Sequence, residues 1–575
     1  MTASELTSNA AAVCRQARHN LALLLPVKAD LDAARRNPRQ DLLAGLTVAI
    51  VALPLALAFG VASGMGAQAG LATAVVAGIV AAVFGGSNLQ VSGPTGAMTV
   101  VLVPLVHQFG VSAVLMVGFM AGLLLIGMAM ARAGQYVKFL PIPVIEGFTA
   151  GIAVVIALQQ LPAALGVSDA RGGRVWATAL DACRLYVHDL DIAAPVTAVA
   201  VAALMLAGAR WKPSVPFSLI GIVVATILSR VLDLGLVPLG HLPASLPAPS
   251  MAFVDVHTIA ALVPAAFAVA ALAALESLLS ATVADGMSVH ERHDPDRELF
   301  GQGLANVIVP IFGGVPATGA IARTAVNIRA GAGSRIAAVT HSLVLLAVIF
   351  AMAPWVSDIP LAALAGVLFA TCARMVETSS LRALMRSTRA DALIVIATFT
   401  VTVAVDLVTA VGVGIAIAIL LALRSVAREA KLDTVAIEPG DYSTEEHSLL
   451  SEHIVAYRVD GPLFFGAAHR LLLELPVITA VNVVIIRMSR VSTMDSTGAH
   501  VLGDTITRLE QRGITVMLSG IDPRHADILA ALGIGDHLLA LGLVHPDTPS
   551  AIAHARTLLG VPPHRPVAAA QQTEG

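Results

Sequence analysis

A carboxylate stands near the middle of an otherwise apolar run, "VPAAFAVAALAALESLLSATVADG", residues 263–286. Glu276 is followed there by Ser277 and, one helical turn on and on the same face, by Ser280. An ionised side chain at bilayer depth is costly, so it faces a polar cavity or carries a proton. A second set of residues interrupts two other apolar runs. "FGGSNLQVSGPTGAMTV", 84–100, and "FGGVPATG", 312–319, each follow Phe-Gly-Gly with a Pro (Pro94, Pro316) and a Thr-Gly pair (Thr95-Gly96, Thr318-Gly319). Unpaired backbone in hydrocarbon costs several kcal/mol per group, so interrupted helices persist only where they line a protein cavity. A helix that begins in mid-membrane presents free N–H groups and roughly half a positive charge. Two of them meeting N-terminus to N-terminus make an anion site without a fixed cation. Arg323, just past the second interruption, is placed to pair with Glu276 or with substrate; a structural Glu–Arg clamp is the plainer alternative.

These residues need a membrane scaffold, and the composition supplies one. The chain has 575 residues, 57% hydrophobic and 13% charged, with a mean hydropathy of +0.83; soluble domains carry about 25% charged residues. From about 42 to 424 the apolar residues come in blocks long enough to cross a ~30 Å core. About fourteen segments are expected, near 42–60, 66–84, 94–108, 112–131, 139–163, 192–209, 217–233, 258–281, 299–312, 317–329, 336–353, 360–373, 391–407 and 409–424. An even count puts both termini on one side and assigns inward the loops holding Arg132/Lys138, Arg210/Lys212, Arg292/Arg297, Arg329/Arg335, Arg374/Arg382/Arg386/Arg389 and Arg424/Arg428/Lys431. The outward loop with Arg171, Arg174 and Arg184 also carries Asp169, Asp181, Asp189 and Asp191. The two interrupted segments are seven apart, so the second copy is inverted, which is the arrangement of transporter half-helices at the midplane. Small residues that merely permit close helix packing are the alternative reading.

Residues 1–40 read as a basic cytoplasmic arm with an interfacial stretch at Leu21–Leu25 and no signal peptide. Residues 436–560 change character. "HIVAYRVDGPLFFG", "NVVIIRMSRV" and "ITVMLSG" read as strands, and "STGAHVLGDTITRLEQRG" and "PRHADILAALGI" as helices, giving a small α/β domain with a partly parallel sheet. The Pro/Ala/Gln-rich tail, 561–575, is expected to be disordered.

Other chemistry is weakly represented. Cys14, Cys183 and Cys372 are far apart and form no CxxC, which argues against a disulfide framework or a zinc site. "HERHDPDRE", 290–298, reads as a solvated loop rather than a metal site. Glu146 is read as a packing or snorkelling residue, and Gln159 and Gln160 as marking the outer end of the fifth segment. The absence of HExxH, GxSxG and GxxxxGK[ST] argues against an embedded hydrolase or ATP-driven pump, leaving an ion gradient or exchange as the energy source. The net charge of −3 is uninformative about nucleic acid, which is not an expected partner.

"DLLAGLTVAIVALPLALAFGVASG", "VSGPTGAMTV", "ESLLSATVADG" and "GAIARTAVNIRAGAGSR", with a C-terminal "DSTG", resemble the SulP anion transporters over about residues 41–560. Within the family, the wording is nearest the cyanobacterial bicarbonate-transporting branch. The resemblance implies seven plus seven inverted segments in a transmembrane domain, 41–430. A core (about 42–131 and 258–353) would move against a gate (about 139–233 and 360–424) in an elevator-type cycle. It further implies a cytoplasmic STAS domain, 436–560, that serves dimerisation and regulation. Partners are then a small anion, membrane lipid, a second copy of the chain and a cytoplasmic regulator, at the inner cell membrane. Carried over by position, the substrate site comprises Leu55, Phe59, Thr95, Gly96, Ala97, Gly319, Ala320, Ile321 and Arg323, with Glu276 and Ser280 for the coupling ion. Sodium-coupled members have Asp at position 276 and Thr at position 321. Glu276 and Ile321 therefore point to H⁺ coupling or exchange, with a Na⁺–bicarbonate symporter as the alternative. Leu55, where animal relatives commonly have Gln, makes the pocket less polar. No cofactor is implied beyond the coupling ion. Ser496 matches a phosphorylated serine of related domains, although a helix N-cap is the plainer role. A nucleobase permease and a non-transporting sensor acting through STAS are the competing functions.

Overall fold

Uninterrupted Ala, Leu, Val and Ile favour helix, and in hydrocarbon a helix satisfies its own backbone. The computed structural model describes residues 24–25 and 28–561, apart from 140, 173, 189, 213–214, 289–291, 406, 430, 435–448, 450–452, 464–480 and 535. Leu21–Leu23, Cys14, His290, Glu291 and the tail beyond Val561 therefore lie outside the described residues. The chain divides into two compact units at Ala416/Ile417.

The first half of the helical unit runs through α1 (Lys28–Arg36), α2 (Pro38–Ala62), α3 (Ala67–Phe84), α4 (Gly96–Met130), α5 (Ile142–Leu165), α6 (Val175–His188), α7 (Ala193–Trp211) and α8 (Phe217–Val231). The second runs through α9 (Ile259–Met287), α10 (Pro295–Ile308), α11 (Ile321–Arg329), α12 (Ile336–Ser357), α13 (Leu361–Met375), α14 (Thr378–Ser387), α15 (Arg389–Ala404) and α16 (Leu407–Glu429). Among the described residues eight helices are long and apolar enough to cross a bilayer, with Phe217–Val231 and Thr409–Ser425 as shorter apolar ones.

Several boundaries differ from expectation. Segments three and four are both present within the Gly96–Met130 stretch as two helices that meet at a non-helical Gly110, whose φ of 81° suits glycine. Segment nine begins at Pro295, because Asp294 caps it by accepting from the Asp296 and Arg297 N–H groups. Segment ten starts as a strand, and its helix begins only at Ile321. The loop expected to face outward contains α6, a helix that the charge pattern alone conceals.

Two layers of contact organise this unit. Helices α2, α3, α4, α9, α10, α11 and α12 pack on one another, while α5, α7, α8, α13 and α15 form a second group. Close approach relies on glycine where helices cross: a Cβ on Gly147 would lie 2.6 Å from Val395 O, and one on Gly122 would lie 2.6 Å from Gly303 O.

Among the described residues the C-terminal unit forms a five-stranded sheet, β3 (Lys431–Thr434) to β7 (Val544–His545), in sequential order. Its inner members are β4 (Ile454–Leu463), β5 (Val483–Met494) and β6 (Thr515–Ser519). β3 runs antiparallel to β4, and the other neighbours are parallel. Helix α17 (Ser496–Glu510) joins β5 to β6 and helices α18 (Pro523–Ala531) and α19 (Asp536–Ala540) join β6 to β7, as parallel pairing requires for its crossovers, and α20 (Thr548–Leu558) follows β7. The core joins Ile485, Ile486, Val516 and Leu518 to Leu502 and Ile506 of α17. The cap of α17 is Asp495, which accepts from the Gly498 N–H at 2.7 Å. This corrects the expectation for Ser496, which is instead the exposed first residue of the helix.

Candidate functional site

The two interruptions meet. β1 (Ser92–Gly93) and β2 (Thr318–Gly319) pair antiparallel, Ser92 with Gly319 and Gly93 with Thr318. Ala320 N–H donates to Val91 O at 2.9 Å and extends the ribbon by a rung. Because the strands are antiparallel, α4 and α11 leave the ribbon in opposite directions, with their N-terminal turns toward it. No side chain caps either helix: Thr95 and Ala320 hold the cap positions without a capping bond. The first-turn N–H groups thus stay available.

The rest of the broken backbone is satisfied by buried side chains, as a low-dielectric setting demands. Thr73 on α3 accepts from Val315 N–H at 2.7 Å. Asn306 on α10 accepts from Ala317 N–H at 2.8 Å and donates to Ala317 O at 2.9 Å. Gln302 donates to Ser92 Oγ at 2.6 Å, Ser277 accepts from Gly319 N–H at 2.9 Å, and Asn327 donates to Leu89 O at 2.8 Å. Thr324 accepts from Val91 N–H at 3.1 Å, and its hydroxyl lies 3.1 Å from Ser280 Oγ. Ser280, expected at the coupling ion, is fully buried and braces the ribbon through Thr324.

Glu276 sits where the two Thr-Gly pairs converge. Thr95 Oγ1 and Thr318 Oγ1 each donate to its Oε2 at 2.7 Å, and the two hydroxyl oxygens are 3.2 Å apart. Oε1 takes part in no hydrogen bond among the described residues. One carboxylate oxygen is therefore pinned by hydroxyls from both inverted halves, and the other is left for a proton or ligand. Arg323 is 1% exposed and donates Nη2 to Pro94 O at 3.0 Å; it forms no ion pair with Glu276 among the described residues. Its Nη1 lies against Gly93, where a Cβ would collide with it.

The expected apolar lining is present in part. Leu55, Phe59, Ala97 and Ala320 are buried, and Phe59 Cε1 would be 3.2 Å from a Cβ on Gly96. Ile321 is 43% exposed and contributes no polar group. Sequence reasoning left out three residues of the site. Thr318 was visible as half of the repeated Thr-Gly pair. Ile156 on α5, 1% exposed, lies against Gly96 so closely that a Cβ there would overlap its Cδ1. Gln90 is 5% exposed, lies against Gly319, and neither of its amide atoms has a partner among the described residues. Nothing in their spacing singles out Ile156 or Gln90.

Outside the crossing, Glu298 on α10 accepts from Gly86 N–H at 2.9 Å and Ser87 N–H at 3.3 Å, fixing the Phe-Gly-Gly-Ser approach. Arg335 donates to Ala82, Val83 and Gly85 carbonyls at 2.8, 3.2 and 2.7 Å. Glu146 accepts from Ser380 Oγ at 2.8 Å, in keeping with a packing role. In the 290–298 stretch, His293 Nδ1 is 2.8 Å from Asp285 Oδ2, and Asp294 serves as the helix cap.

A ribbon-linked pair of half-helices with uncapped N-termini, set in a polytopic helical bundle, is the arrangement expected of a membrane transporter with an anion site. The sequence pattern of the sulfate permease family matches residues 39–398, and that of the STAS domain matches residues 449–550. The chain belongs to the sulfate permease family. It is 35% identical over 505 residues to a Bacillus subtilis protein named "Putative sulfate transporter YvdB", covering 86% of this chain and 94% of that one. It is 32% identical over 501 residues to the bicarbonate transporter BicA of Synechocystis, covering 84% and 88%. The solved transmembrane domain of a cyanobacterial BicA aligns with a TM-score of 0.61 at 35% identity, over 65% of this chain and 98% of that one. Murine Slc26a9, an anion transporter, shares the fold with a TM-score of 0.82 at 18% identity, over 93% and 94%.

Proposed function

We propose that this chain is a secondary active transporter of small inorganic or organic anions, sulfate, bicarbonate or a dicarboxylate, in which Glu276 carries a coupling proton. The observation that carries the reading is the hydroxyl-pinned carboxylate between two uncapped half-helix starts. A protonated Glu276 lets a monoanion enter without adding net charge at the dipole ends, and its Oε1 then offers an O–H to the anion. An ionised Glu276 repels the anion, strongly so away from water. The names of the relatives support sulfate and bicarbonate as substrates. Ile321 offers no oxygen to a compact sodium cage, which disfavours the Na⁺–bicarbonate alternative. The reading includes alternating access by movement of the α2–α4/α9–α12 group against the other, a homodimer, and inner-membrane placement with cytoplasmic termini. Positive loop charge supports that placement.

The test is uptake of labelled sulfate, bicarbonate and dicarboxylate into proteoliposomes under a pH gradient, a Na⁺ gradient or counter-anion loading. Wild-type accumulation should follow the pH gradient, and Glu276→Gln should abolish it while retaining anion binding. Proton-driven accumulation that survives in Glu276→Gln removes the carboxylate from coupling. Dependence on Na⁺ selects the symporter alternative, and an absence of any flux selects the sensor.

A further inference from the structure

Thr95 occupies the N-cap of α4 yet does not cap it, because its hydroxyl is spent on Glu276. Thr318, two residues before the Ala320 cap position of α11, donates to the same carboxylate from the other half, and both protons converge on one oxygen, Oε2. A neutral carboxyl is a much weaker acceptor than a carboxylate, and hydrogen bonds to charged groups are about twice as strong as neutral ones. Both threonines lie beside the N-terminal turns where an anion would sit. Once Glu276 is neutral, the most negative acceptor within reach of their hydroxyls is that anion.

The geometry points to Thr95 and Thr318 as a shared donor pair: they hold the ionised Glu276 in the empty site and turn to the anion when Glu276 is protonated, which makes Thr318 a positioning residue that ties proton uptake to anion binding. The step balances simply. One proton from solution adds to Oε1, each threonine keeps its own proton, and only hydrogen-bond partners change. The inference rests on the proton-coupled reading above.

None of the other charged or titratable groups around the crossing is hydrogen-bonded to Glu276 among the described residues, although the buried Arg323 Nη1 and His341 Nε2 have no partner there. On α11, Arg323 donates to Pro94 O. On α12, His341 is fully buried, with its Nδ1 3.5 Å from Ser342 Oγ. On α10, Glu298 accepts from Gly86, Ser87 and Gln302. Farther along α9, Asp285 pairs with His293. On α5, Glu146 accepts from Ser380.

Thr318→Val removes the hydroxyl and keeps the shape. In proteoliposomes loaded with a pH gradient, using labelled sulfate and bicarbonate, it should raise KM at acidic pH about tenfold, one charged hydrogen bond's worth. Uptake should also persist about one pH unit further toward alkaline, since valine removes a donor that the ionised form uses most. Thr318→Ser should keep both properties. In a Glu276→Gln background, adding Thr318→Val should still raise KM for exchange but leave the pH profile where it was. A Thr318→Val protein with wild-type KM and pH profile overturns the inference, as does an equal pH shift in the Glu276→Gln background. If valine prevents assembly, Thr318→Ala replaces it with the same expectations and the same refuting outcomes. A wild type that ignores the pH gradient removes the underlying reading and the inference together, whereas a coupled wild type with an unchanged valine variant removes the inference alone.

Discussion

Gly96→Ala is the sharpest test of the contact between α5 and the anion-site helix. A Cβ on Gly96 would overlap Ile156 Cδ1, approach Phe59 Cε1 at 3.2 Å, and stand at an ordinary 3.4 Å from Ile156 Cγ1. Carbon atoms repel well inside their 3.5–4.0 Å optimum. Ile156 is 1% exposed, so its terminal methyl cannot simply swing into open space. Overpacking of this kind costs about 1–3 kcal/mol, a factor of roughly 5 to 150 in the population of the arrangement. A transport cycle that passes through it should slow about tenfold in initial-rate uptake. Ile156→Val removes only the colliding methyl, at a cost of about 0.5–1.5 kcal/mol by itself. The Gly96→Ala/Ile156→Val pair should therefore transport faster than Gly96→Ala alone, a non-additivity expected of touching residues. Wild-type uptake in Gly96→Ala, or no rescue by Ile156→Val, would refute a direct contact between these residues in the cycle.

Two predictions concern the C-terminal domain. Asp495→Ala should weaken α17 by about 1 kcal/mol, whereas Ser496→Ala should stay within about 0.5 kcal/mol, as read by hydrogen exchange of that helix in the full chain. Equal effects would mean that the cap is misassigned. His545 and His554 lie 3.1 Å apart through ring nitrogens, and burial first, then the neighbouring His554, holds the His545 imidazole below its ordinary value, against Asp547. The folded state then binds fewer protons than the unfolded one, so stability is full above pH 6.5 and declines as pH falls below it. Protection factors in α20, referenced to intrinsic exchange at each pH, should fall on acidification, and His545→Gln should flatten that dependence; a parallel response in the variant would exclude this pair.

The sequence made the crossing legible because it repeats its own wording. Two Phe-Gly-Gly approaches, each with a Pro and a Thr-Gly pair, announced two inverted half-helices, and the order of strands and helices announced the C-terminal sheet. The partners that complete the crossing were not legible, since contacts such as Thr73–Val315 and Gln302–Ser92 span more than 200 residues. An isoleucine in an apolar helix carries no mark of the surface it meets, so Ile156 could not be told from its neighbours. Ser280 illustrates a different limit. Its spacing from Glu276 is right for a shared face, but the hydroxyl finds Thr324 first. Asp495 and Ser496 are both good cap residues, and only the backbone shows that the helix begins one residue earlier than a serine cap needs.

The same side chains bear on how a site with so little fixed charge would select an anion, as proposed above. Thr73, Ser277, Asn306 and Thr324 satisfy ribbon N–H and carbonyl groups one by one, all from buried positions. The backbone donors left over are concentrated at the starts of α4 and α11, where dipole and geometry both favour negative charge. Removing an amide such as Asn306 would therefore do more than loosen the fold. It would leave the Ala317 N–H and carbonyl unpaired near the site and blur the contrast between satisfied ribbon and available helix start. Arg323 fits this scheme by holding the Pro94 carbonyl, two residues before the α4 N-terminus. Its charge stands beside the residues that lead into that helix and adds to the positive end of its dipole.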